Sequence, residues 1–95
     1  MMSELTADRF DTLEGETFTL MSVEPALQLR LIEIVRKGKG ERMGGSFSLL
    51  WQSDSDTILP QGSYVMKNEQ LGELELFIVP VGQVSEGVHY EAVFT

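Results

Sequence analysis

Hydrophobic residues recur at every second position through most of this chain, the period of a strand with one face buried. Thr17 to Val23 places Phe18 and Leu20 on one face, with Pro25 closing the run. Ser46 to Gln52 aligns Phe47, Leu49 and Trp51, and Leu50 on the opposite side implies some cover there too. Tyr64 and Met66 alternate with Val65, and Val88 to Thr95 aligns Tyr90, Ala92 and Phe94. From Glu73 to Val81 the glutamates alternate with Leu74 and Leu76, after which Phe77, Ile78 and Val79 are apolar on both faces. That strand is expected to begin at the surface and finish in the core.

Leu27 to Arg36 departs from strict alternation. Leu27, Leu29 and Leu31 share a phase with Gln28 and Arg30 between them, then the apolar phase moves to Ile32 and Ile34. A one-residue slip within a strand is the mark of a β-bulge or a bend. Near the start, Ala7 to Leu13 reads as a short helix capped by Thr6, with Asp8 in its first turn and Gly15 as its left-handed stop. So short a helix depends on packing Phe10 and Leu13 against the body.

The connections are marked by their turn residues. Lys37 to Ser46, KGKGERMGGS, is a glycine-rich basic hairpin loop, and Ser53 to Thr57, SDSDT, is a polar turn. Pro60-Gln61-Gly62 forms a turn in which Gly62 can take positive φ, and Lys67 to Gln70 makes the next connection. About six or seven short antiparallel strands at this spacing predict an all-β domain, a small barrel or sandwich with a short N-terminal helix, spanning residues 1–95.

Composition narrows the chemistry. The 95 residues hold no cysteine, which excludes disulfides, thiolate nucleophiles and cysteine-based metal sites. The start MMSELTADRF has neither the basic end nor the apolar segment of a secretion signal, and the longest apolar run, Leu76 to Val81, is far short of the roughly 20 residues that span a bilayer. A cytoplasmic protein with no membrane partner is the expectation. The net charge of −8 opposes nucleic acid as a partner. Five of the seven basic residues cluster at Arg30, Arg36, Lys37, Lys39 and Arg42, between acidic flanks.

Single residues that suggest chemistry lack the partners it needs. His89 has only Glu91 on its face, below the three protein ligands usual for catalytic zinc. Ser46 follows Gly44-Gly45 but leads into a strand where a nucleophile elbow requires a helix. Gly38, Gly40 and Gly44 have the wrong spacing for a phosphate cradle. Asp54 and Asp56 begin a D-x-D pattern that lacks the later ligands of a calcium loop. Glu73 and Glu75 read as gatekeepers that keep a hydrophobic strand soluble. No catalytic residue, metal ligand or cofactor site emerges, and a non-enzymatic protein is expected.

The segments LPQGSY, LGELELFIVPVG and YEAVF, with Phe10, Leu13, Gly15, Glu16 and Phe18 before them, resemble an uncharacterised bacterial family of small single-domain β proteins. That resemblance covers nearly the whole chain. It implies no activity and no catalytic residues, and it implies accessory proteins that can occur beside phage-tail-like or collar-type genes.

Two functions follow as expectations. One is a protein-interaction or structural accessory module in a larger, phage-tail-like or secretion-related assembly, engaging a protein partner or itself. Its candidate docking residues are Arg36, Lys37, Lys39 and Arg42, facing an acidic surface, or a strand edge left unpaired. The other is a small-ligand or carbohydrate-binding domain in which Trp51 and Tyr64 form a stacking surface.

Overall fold

A computed structural model describes residues 6–38 and 46–94. One helix, α1 (Ala7–Asp11), precedes strands β1 (Thr17–Leu20), β2 (Leu27–Gly38), β3 (Ser46–Ser53), β4 (Gly62–Asn68), β5 (Gly72–Val84) and β6 (Gly87–Phe94). All neighbours are antiparallel in the order β1-β2-β3-β6-β5-β4, and β4 returns to β1, so one sheet closes on itself. The all-β class with a short N-terminal helix is as expected. The closure is uneven, not that of a regular barrel. β1 and β4 share only the pairs Thr19–Lys67 and Leu20–Met66. β5 also changes partner midway, with Gly72 to Ile78 on β4 and Val79 to Val84 on β6.

Residues paired across an antiparallel ladder project to the same face, so the register identifies the interior. Phe18 lies opposite Leu29, Leu31 opposite Trp51, Trp51 opposite Tyr90 and Leu49 opposite Ala92. All of these side chains are buried. The expected phase slip in β2 is real: pairing steps from Leu31–Trp51 to Glu33–Leu50, leaving Ile32 as the extra residue. The bulge puts Ile34 and Arg36 on the inward row after Leu31, opposite Leu49 and Phe47.

Arg36, at the end of this row, is half-exposed, and α1 supplies its partners. Arg36 donates to Asp8 Oδ1 at 2.7 Å and to Asp11 Oδ2 at 2.6 Å. These bonds, Asp11 first and then Asp8, raise its pKa further above an already basic value, so it stays protonated at every working pH. Beneath this clamp Phe10, fully buried, sits 6.1 Å from both Phe47 and Phe94, which stack on each other at 4.5 Å. The helix is thus a stopper over one end of the closed sheet. Burying Phe10 contributes about 2–3 kcal/mol. The Thr6 hydroxyl makes no capping bond, contrary to expectation, although its backbone is extended as a cap requires. Gly15 does take positive φ, at 88°, and its N–H donates to Leu31 O.

The structure corrects three local expectations. β1 stops at Leu20, short of Val23, with one further bond from the Met21 N–H to Val65 O. Gly62 opens β4 without positive φ, and Gly72, at φ 80°, is the glycine that turns the chain between β4 and β5. β5 does not finish in the core: Phe77 is 54 % and Val81 50 % exposed. Its doubly apolar stretch carries one buried row, Leu76 and Ile78, and one row facing out.

Candidate interaction site

The structure separates the residues singled out by sequence. Trp51 is fully buried, with Phe18 edge-on at 5.5 Å, so it is not available as a ligand-stacking surface. The reason is register: its partners Leu31 and Tyr90 both face inward. Tyr64 is half-buried and donates its hydroxyl to Pro60 O at 2.7 Å, a role in holding a loop. The two rings form no platform. Arg36 is engaged by Asp8 and Asp11, Lys37 is exposed, and Lys39 and Arg42 lie outside the described residues. His89 Nε2 lies 3.0 Å from Gln52 Oε1. Among the described residues no cluster of three or more His, Asp or Glu is arranged to hold a metal ion.

Two features emerge from the register instead. The first is the outer face of β2, β3, β6 and β5. Ser48 lies opposite Val35 on one side and Val93 on the other. It is only 4 % exposed although it faces outward. The next outward row is Glu33, Leu50, Glu91 and Val79. Phe77 and Glu75 precede Val79 on the same face of β5. Val35 is 38 %, Val93 53 % and Phe77 54 % exposed. Apolar groups are therefore grouped across four strands with glutamates set among them.

The second feature is a cleft of about 310 Å³ at the end of the sheet opposite α1, between the β1–β2 and β3–β4 connections. Val23, Pro25, Leu27 and Leu59 form its apolar walls, and Glu24 and Asp54 its acidic margin. One wall is an irregular segment held at several points. The Tyr90 hydroxyl accepts the Leu59 N–H at 3.0 Å and donates to Thr57 O at 3.3 Å, while the Ser53 hydroxyl donates to Ser55 O at 3.0 Å. With Tyr64 on Pro60, a loop lacking secondary structure acquires a fixed shape.

Residues 5–94 match a family described as a domain of unknown function, DUF6916. The chain belongs to the DUF6916 family. Among curated proteins and solved structures nothing matches it. The DUF6916 match spans nearly the same residues as the resemblance to an uncharacterised family of small β proteins.

Sequence reading missed both surfaces of this DUF6916 domain, for different reasons. Phe77 and Val79 were visible as apolar positions on the second face of β5, and that surplus was the available signal. Whether such a face is covered depends on a distant layer. The cleft joins residues 23–28 to residues 54–59, and no local pattern announces that meeting.

Proposed function

We propose that this DUF6916 domain is a non-enzymatic protein-interaction module, an accessory component of a larger assembly, docking through the outer face of β2, β3, β6 and β5. The observation that supports this reading is the grouping of Val35, Phe77 and Val93, about 40–55 % exposed, on one face of a sheet that closes on itself. Solvent-exposed apolar patches of this kind, rimmed by polar residues, mark association surfaces. The charges favour one kind of partner. Glu33, Glu75 and Glu91 lie among the apolar groups, so a complementary surface presents apolar side chains with lysine or arginine beside them. Two copies meeting face to face would oppose these carboxylates in a chain already at −8, which favours a different protein over self-association.

Closure of the sheet also weakens docking through a free strand edge. The edge left on β2 beyond Leu31 carries Glu33, Arg36 and Lys37, charges that blunt strand addition.

Paired baits test the proposal: the wild-type domain and a Phe77→Ser/Val93→Ser variant, each used for affinity capture from cells of the native host. Proteins retained by the wild type and lost by the variant, with retention that weakens as salt rises, support it. Equal capture by both baits contradicts it. So does loss of capture on changing Lys37, Lys39 and Arg42 to Ser with the face intact, because docking would then reside in the basic loop.

A further inference from the structure

We infer that the cleft between the β1–β2 and β3–β4 connections receives a lysine or arginine side chain from an extended segment of a partner protein. The inference rests on the reading of the domain as an interaction module, but not on which sheet face docks. At about 310 Å³ the cleft is at the small end for a ligand site, the scale of one or two side chains. Its walls at Val23, Pro25, Leu27 and Leu59 offer an apolar sleeve, and Glu24 and Asp54 supply negative charge at its margin. Among the described residues no basic one lines it. Neither carboxylate is in an ion pair among the described residues, since Arg36 takes only Asp8 and Asp11.

Apolar walls ending in a carboxylate rim complement side chains that are aliphatic along the stem and cationic at the tip. Lysine and arginine are the side chains with that profile. An anionic ligand would meet Glu24 and Asp54, and a purely apolar one would leave them uncompensated. Met21, 45 % exposed, and Ile58, 54 % exposed, belong to the same two connections, so an apolar residue next to the cation in the partner has a surface to contact. The loop wall is held beforehand by the Tyr90 and Tyr64 hydroxyls, which limits the ordering needed on binding.

Three blocked dipeptides, Ac-Leu-Lys-NH2, Ac-Leu-Nle-NH2 with norleucine in place of lysine, and Ac-Leu-Glu-NH2, should be titrated into the ¹⁵N-labelled domain while amide shifts are followed. The lysine peptide should shift the Ala26, Leu27 and Leu59 amides saturably, with a Kd on the order of 1 mM. The glutamate peptide should produce no such shifts, and the norleucine peptide should bind at least about fivefold more weakly. Glu24→Gln/Asp54→Asn changes two exposed residues, so the fold should persist while lysine-peptide affinity falls by about five- to tenfold. Equal shifts with all three peptides, no saturable shift with the lysine peptide, or unchanged affinity in the double variant would each overturn the inference. The Phe77→Ser/Val93→Ser protein should bind the peptide normally, so failure of the cleft and failure of the docking face give different results.

Discussion

Replacing Gly87 by alanine should be among the most damaging single substitutions in the described residues. Gly87 begins β6 at φ 156° and lies against Ser53, the last residue of β3. An added Cβ would fall 2.7 Å from the Ser53 carbonyl carbon and closer still to its oxygen. These are backbone atoms, so relief requires a strand to move and not a side chain to rotate. The Ser53 hydroxyl accepts the buried Val88 N–H at 3.1 Å and donates to Ser55 O. Separating the strands strands that donor, at about 1–3 kcal/mol. Holding a non-glycine residue in this backbone region costs about 1–3 kcal/mol more. A total of about 2–6 kcal/mol is a large share of the 5–15 kcal/mol typical of a domain. With an m-value of about 1.5 kcal/mol/M, the urea midpoint should fall by about 1–4 M. Because Ser53 anchors the β3–β4 connection, a surviving folded fraction should also lose lysine-peptide binding in the cleft. A loss under about 1 kcal/mol would refute the close approach of Gly87 to Ser53.

Other substitutions probe separate parts of the account. Phe10→Ala removes the fully buried ring beneath the Arg36 clamp and should cost about 3 kcal/mol in urea unfolding; a cost near zero would mean that α1 does not hold the end of the sheet closed. Trp51 Nε1 is buried with no hydrogen-bond partner among the described residues, so Trp51→Phe should cost about 1 kcal/mol, against about 3–5 for Trp51→Ala. A Trp51→Phe loss close to that of Trp51→Ala would contradict this, because the phenyl ring keeps most of the buried apolar contact. Tyr90→Phe removes the hydroxyl that joins Leu59 N–H and Thr57 O. It should lower stability by about 1 kcal/mol and speed amide exchange at Leu59; unaltered exchange there would show that the loop is held by other contacts.

Much of the interior was legible because alternation is a local property. Phe18 with Leu20, Phe47 with Leu49 and Trp51, and Tyr90 with Ala92 all face the core, and the slip at Ile32 marked a true bulge. What stayed hidden depends on pairs far apart in the chain. Arg36 looked like part of a basic loop, yet after the bulge it lies opposite Phe47 at the end of the sheet and pairs with carboxylates 28 and 25 residues away. Trp51 was legible as one of an apolar row, but its use as a stacking surface is excluded only by knowing that Tyr90 lies opposite it on the inward face. Phe77 and Val79 present the reverse problem. Apolar residues on both faces describe a strand covered twice and a strand exposed on one face equally well, and only the exposure of Phe77 in the folded chain separates the two.

The proposed docking face is tested most directly by the affinity of a captured partner, purified and titrated against wild-type domain and the Phe77→Ser/Val93→Ser variant by calorimetry at low and moderate salt. The account predicts at least about tenfold weaker binding for the variant, as loss of a central aromatic anchor brings, and weaker wild-type binding at the higher salt. Equal affinities for the two proteins, with both folded, would contradict it.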